Sequence, residues 1–202
     1  MTAIAGGFGG FEGGYNWQFN HQWLAGVETD FDWSHIDGTG TSNFILGSGL
    51  PAPSNFTASQ NIRWFGTVRA RLGYLPADNL VVYGTGGFAY GRIDENVALN
   101  SQGTPNVNNG GNSYFCFTGP NCAVGGSSRT ATGWTAGGGF EYALWKNISV
   151  KAEYLYLNLG GGDNINLVLQ SIPTLPPPSS FTASFTRTEF HTVRAGLNWK
   201  FN

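Results

Sequence analysis

Three arginines, Arg63, Arg69 and Arg71, share one parity in a segment whose other parity carries Ile62, Trp64, Val68, Leu72 and Tyr74. Cations placed this way do not make a catalytic set; they call for carboxylates on neighbouring elements, and the chain supplies them in Glu28, Asp30 and Asp32. The histidines are less productive. His21 reads as a polar turn residue. His35 with Asp37 could ligate a metal, but a solvated loop at the external rim is the preferred reading, and no metal site is expected. Glu189 and His191, with Arg187 and Ser184 nearby, have the residue types of a hydrolase. Hydrolysis also needs a base within hydrogen-bond reach of a nucleophile and held by a third group; spacing does not provide that, and no enzyme is expected. Cys116 and Cys122 lack the nearby histidine pair that would complete a four-ligand zinc site. A small loop disulfide formed in an oxidising compartment is the preferred reading, two unpaired thiols the alternative.

The elements that must position these groups are strands. Alternation of apolar and polar residues runs through seven segments, 4–19, 23–33, 61–75, 80–93, 130–144, 148–159 and 182–201. The connections alternate as well: residues 20–22, 76–79 and 145–147 are tight turns, whereas 34–60, 94–129 and 160–181 are long and rich in Gly, Asn, Ser and Pro. Placing every long loop at one end is a habit of outer-membrane barrels. No apolar run approaches the roughly 20 residues of a membrane helix. Only 11% of the 202 residues are charged, against about 25% in an ordinary soluble domain, while 15% are aromatic and 31 are glycine. A net charge of -2 and three lysines argue against a nucleic-acid footprint or a polybasic membrane-surface patch. The glycine strings GTGGFAYG and TAGGGFEY do not lead into a helix, so they are not phosphate loops; in a curved barrel glycine permits bends and close packing. The proline-rich PTLPPPSS stretch reads as a stiff part of an external loop.

Arginine on a lipid face costs about 2–4 kcal/mol near the midplane, so the arginine face of the third segment must look inward. Sorting all segments this way gives a lumen network of six acids (Glu12, Glu28, Asp30, Asp32, Glu141 and Glu153) and six bases (Arg63, Arg69, Arg71, Lys151, Arg194 and Lys200). The fourth segment is too glycine-rich for its faces to be assigned. Aromatic residues fall into two girdles. Phe19, Trp23, Tyr74, Tyr142, Trp145, Trp199 and Phe201 lie at the short-turn end, and Phe31, Trp33, Trp64, Tyr90, Trp134 and Tyr156 at the other. Trp64 and Tyr74 are separated by about 33 Å of strand, or roughly 25 Å along the axis of a tilted barrel, the height of an outer-membrane apolar band. A soluble barrel has no reason to ring both ends with tryptophan.

The blocks GGYNWQ, GVETDFDWS, WFGTVRARLGY, VYGTGGFAYG, GWTAGGGFEYAL, VKAEYLYLNLG and HTVRAGLNWKF resemble, in order, the strands of the small outer-membrane β-barrel family of alphaproteobacteria, the outer-membrane immunogenic or porin-family proteins. The resemblance implies an all-β, eight-stranded, antiparallel up-and-down transmembrane barrel, here with seven strands visible in a single domain over residues 1–202. It also implies outer-membrane location, a cleaved signal peptide, insertion by the outer-membrane assembly machinery, and contact with outer-membrane lipid and lipopolysaccharide. Residues 1–14 lack the basic region and apolar core of a signal peptide. The chain starts at the second family strand, so a signal peptide and a first strand are expected upstream of Met1. It ends on Asn202 where the family ends on an aromatic. Two roles follow as expectations: a structural or small-solute porin-like barrel, or a surface binding module whose long loops engage a host molecule, haem or a neighbouring barrel; a homo-oligomer is a further expected association. No cofactor is expected.

Overall fold

The computed structural model describes residues 4–44, 54–101, 121–168 and 180–201. Nine strands are present in them: β1 (Ala5–Gln18), β2 (Trp23–Phe44), β3 (Ser54–Ala77), β4 (Leu80–Ser101), β5 (Asn121–Ala143), β6 (Ile148–Asn158), β7 (Asn164–Val168), β8 (Ser180–Ser184) and β9 (Glu189–Trp199). Seven form one antiparallel sheet in the order β1-β2-β3-β4-β5-β6-β9, and β7 pairs with β8 as a separate hairpin. The tight turns have local causes. In the β1–β2 turn the Asn20 side-chain oxygen accepts the backbone N–H of Gln22 at 2.8 Å and of Trp23 at 2.6 Å, which reverses the chain in three residues.

Alternation sorts each strand into an outward and an inward face. On β3, Val68 and Leu72 are exposed while Thr67, Arg69 and Arg71 are buried. On β4, where glycine hid the pattern, Val82 and Phe88 point out and Tyr83, Thr85, Ala89 and Ile93 point in. The sheet curls until side chains on distant strands meet: Arg69 of β3 bonds Glu153 of β6, and Lys151 of β6 bonds Glu12 of β1. Among the described residues no ladder joins β1 to β9, and the two edges are spanned by Arg194 reaching Glu12 at 3.4 Å.

Two sequence expectations are corrected. The long connections begin later than read, because β2 and β3 stay paired out to Phe44 and Ser54, and β4 and β5 out to Asn100 and Asn121. These extensions, rich in Gly, Ser, Thr and Asn, stand above the membrane band, where the outward face meets water instead of lipid and the apolar–polar alternation fades from the sequence. The segment 182–201 is likewise two elements. β8 pairs with β7, and the chain then re-enters the main sheet as β9. The β7–β8 hairpin lies inside the extension, with Ile165, Leu167 and Ala183 packed on Val97 and Ala123. It comes so close to β5 that a Cβ on Gly125 would sit 2.8 Å from Ile165. The turn out of β6 needs Gly160 for a different reason, since its φ of 54° lies in the left-handed region.

Candidate functional site

The interior is filled in two layers. The layer nearer the short turns is charged. Arg69, its side chain fully buried, donates from Nη1 to Glu153 at 2.8 Å and from Nη2 to Asp30 at 2.9 Å, with Glu28 at 3.4 Å. Arg71 donates to Glu28 at 2.6 Å and to Glu141 at 2.8 Å, with its guanidinium carbon 3.7 Å from the centroid of the Tyr83 ring. Arg194 joins Glu153, Asp30 and Asp32, and Lys151 holds Glu12. Thr67 and Ser149 donate hydroxyls to Asp30 and Glu141. These bonds cross the lumen, tying β2 and β3 to β5, β6 and β9.

Ten of the twelve expected lumen charges lie in this layer; Arg63 and Lys200 do not. A bulge disrupts pairing around Arg63, since Trp33 faces Trp64 but the next paired residues are Ile36 and Ile62. The slip exchanges faces. Ile62, read as lipid-facing, is fully buried, while the Arg63 side chain is 58% exposed and pairs with Asp94 at 2.8 Å on the outer rim. Lys200 lies past the end of β9 and is exposed. Among the described residues this layer therefore holds six carboxylates against four cations instead of the balance expected. Tyr83 belongs to the layer and was not foreseen; its signal, a residue flanked by the outward Val82, was masked by the glycines that follow.

Above the charges the same inward faces turn apolar. Ile62, Phe65, Ile93, Leu155, Leu157 and Leu159 are fully buried and pack with Ile36, Ala89, Ala131 and Phe190, while Ile4 and Phe8 close the β1 side. The Phe65 ring lies 5.4 Å from those of both Phe8 and Phe190, so contacts extend across the interior. A further polar set sits higher, beneath the hairpin. There the fully buried Glu95 accepts from Gln60 at 2.9 Å and from the backbone N–H of Asp163 at 3.3 Å, with Arg129 at 3.7 Å. It lay within a stretch read as loop, where no face could be assigned.

Outside, the aromatic residues occupy the two expected levels. Phe19, Trp23, Tyr74, Tyr142, Trp145, Trp199 and Phe201 are exposed at the short-turn end. At the other level Trp33 and Trp134 are exposed, and Trp64, Tyr90 and Tyr156 are half-covered by neighbouring rings. The upper girdle changes character at β9, where His191 stacks on Tyr154 and lies tilted against Tyr156. His191 hydrogen-bonds the Tyr154 hydroxyl at 2.6 Å, and Tyr156 donates to Glu189 at 2.5 Å. Ser184, by contrast, sits in the β7–β8 ladder opposite Asn164. His35 and Asp37 are exposed on the outer face of β2, and among the described residues no group of three or more His, Cys, Asp or Glu could hold a metal. The pairing of Cys116 with Cys122 lies outside the described residues.

A curled antiparallel sheet with charges inside, an apolar belt outside, and aromatic rings at both margins of the belt defines a transmembrane β-barrel protein of the outer-membrane type. The comparisons narrow the class. The family described as "Outer membrane protein beta-barrel domain" matches residues 2–201, and the chain belongs to it. It is 38% identical over 202 residues to the 31 kDa outer-membrane immunogenic proteins of Brucella melitensis and Brucella suis, covering all of this chain and 69% of theirs. Among solved structures it is similar to Ail, the attachment invasion locus protein of Yersinia pestis, with a TM-score of 0.41 and 16% identity over 94% of this chain and 80% of that one. The protein is thus a bacterial outer-membrane β-barrel of an immunogenic-protein family.

Proposed function

We propose that this protein is a structural barrel of the outer membrane with a filled lumen rather than a conduit for solutes, and that it carries a platform above the surface. The observation supporting this is the apolar layer: Phe65, Leu155, Leu157 and Phe190 meet inside the wall where a water path would have to run. Ions crossing such a layer would lose their hydration with nothing polar to replace it. Below it, the charges are engaged with one another across the lumen instead of lining an open bore.

The test is reconstitution of the folded chain in planar lipid bilayers. A silent bilayer, with insertion verified independently, is expected; steady single-channel conductance would overturn the reading. A second reading, surface binding, draws on the extension itself. β2, β3, β4 and β5 run 22 to 24 residues, well beyond the length needed to span a bilayer, and the excess stands outside with the β7–β8 hairpin packed within it. Such a stiff projection suits recognition of a partner in solution or on another cell. The two readings are compatible, since a filled lumen gives the platform a rigid base.

A further inference from the structure

The outer face of the extension carries a shallow hollow of about 500 Å³, above the membrane band and apart from both lumen layers. Two rows of cross-strand neighbours line it. Thr57, Ala98 and Val124 lie side by side on β3, β4 and β5, and Ser59, Asn96 and Gly126 form the next row toward the membrane. Their parity is outward, opposite to that of Gln60, Glu95 and Val97, which serve the interior. A Cβ on Gly126 would meet the Asn96 side-chain oxygen at 2.7 Å, so this glycine lets the amide lie flat across the sheet. Among the described residues neither that amide nor the Ser59 hydroxyl has a hydrogen-bond partner. Just below, by contrast, Arg63 and Ser128 both donate to Asp94.

We propose that this hollow binds a neutral saccharide ring of a soluble glycan. Its volume falls in the range of small-molecule sites, about 300–1,000 Å³. The lining carries no charge, so nothing in it neutralises a phosphate, sulfate or carboxylate, and the guanidiniums below, Arg63 and Arg92, are turned to Asp94. No ring and no metal-ligating side chain lines it, which sets aside flat conjugated ligands. A peptide strand finds no edge to extend, because β4 runs through the middle with ladders on both sides. Hydroxyls beside C–H faces remain. The Asn96 amide offers two donors and an acceptor, Ser59 and Thr57 a hydroxyl each, and Ala98 with the 67% exposed Val124 an apolar floor for one face of a pyranose. Laddered strands hold these groups in place, which lowers the ordering cost of binding. The inference deepens the surface-binding reading and rests on it.

The experiment uses the full chain refolded in lipid-free detergent micelles and titrated with the methyl glycosides of glucose, galactose, mannose and N-acetylglucosamine, followed by backbone amide NMR shifts. At least one glycoside should bind saturably and move the signals of Ser59, Asn96 and Gly126. Asn96→Ala should weaken that binding about tenfold and Ser59→Ala about fivefold, the losses expected for two neutral hydrogen bonds and for one. Gly126→Val, which fills the hollow, should abolish it, whereas Gly9→Val on β1, where a Cβ meets nothing within 4 Å, should bind as wild type does. Heat-sensitive gel mobility confirms that each variant is folded, and the Asn96 and Ser59 variants decide the matter if Gly126→Val is not. Unchanged affinity in those two variants, or an equal loss in Gly9→Val, would overturn the site. Tighter binding of inorganic phosphate or sulfate at the same amides would overturn the neutral-sugar assignment. A water-soluble paramagnetic agent separates this inference from the reading beneath it. Amides of the hollow that are shielded from the agent would overturn the surface placement and the site together; accessible amides with no glycoside bound would overturn the saccharide site alone.

Discussion

The two layers inside this barrel are built on the same strands and the same residue parity, yet they fill space by opposite means. On β6, Lys151 and Glu153 give way to Leu155 and Leu157; on β3, Arg71 and Arg69 give way to Thr67 and Phe65. The apolar layer is stabilised by burial and contact, roughly in proportion to area. The charged layer gains much less in net terms, because each ion loses its hydration before it recovers energy from its partners. What the charges provide is directionality. Arg69 fits only where Asp30, Glu28 and Glu153 converge, so the lower layer fixes how β3 faces β2 and β6, while the upper layer seals whatever arrangement results.

The comparison predicts an asymmetry in the response to truncation. Removing a cation from the lower layer strands carboxylates that already outnumber their partners, whereas removing a ring from the upper layer leaves a cavity. Arg69→Leu should therefore have the largest effect, a loss of about 3–5 kcal/mol of the kind seen when one partner of a buried ion pair is deleted. Urea unfolding of the refolded barrel in micelles would measure it. A loss below about 1 kcal/mol would place the network on a par with surface ion pairs and remove the distinction between the layers.

Phe65→Ala comes next. The side chain is fully buried between Phe8 and Phe190, and a Phe-to-Ala change in a core costs about 3–5 kcal/mol, toward the low end where neighbours can collapse into the space. The same variant combined with Leu155→Ala and Leu157→Ala sharpens the functional side of the comparison. If the apolar layer is the seal, bilayers containing the triple variant should show conductance where wild type is silent. Silence in a folded, inserted triple variant would assign the seal to the charged layer instead.

Much of this was legible in the sequence, and the illegible parts have physical reasons. Inward and outward faces could be sorted on β1, β2, β3, β6 and β9 because a lipid face tolerates so few charges that Arg69, Arg71, Glu153 and Arg194 identify the lumen unaided. The apolar layer was also written there, since Leu155 and Leu157 share the parity of Lys151 and Glu153. An alternating pattern, however, says which wall a residue faces and not how far across the lumen its neighbours reach. Parity alone puts Arg63 in the lumen, and the bulge that turns it outward reverses parity without leaving a mark in the local composition. The extensions of β2 to β5 read as loops because their outward faces meet water instead of lipid, which weakens the alternation, and Gly, Ser and Asn are as common in loops as in these strands; their inward faces are buried by the β7–β8 hairpin.

The smallest predicted effect lies outside both layers, at the rim pair created by that bulge. The Asp94 carboxyl accepts from the Ser128 hydroxyl and from Arg63, and both hold it below the ordinary aspartate value of 3.8. A carboxylate with a depressed folded-state value contributes stability that is fully present above its unfolded value. That contribution fades as pH falls below 3.8 toward the lower folded value. Because the Arg63 side chain is 58% exposed, solvent screens most of the attraction, and Arg63→Ala should cost under about 1 kcal/mol at neutral pH. The difference between Arg63→Ala and wild type should shrink further in acid and in high salt, whereas the Arg69→Leu deficit, shielded from solvent by the barrel wall, should persist as salt is raised. A salt titration of both variants tests this directly: if the two deficits screen alike, the lumen charges are in contact with bulk water, and the division of the interior into a sealed charged layer and an apolar layer fails.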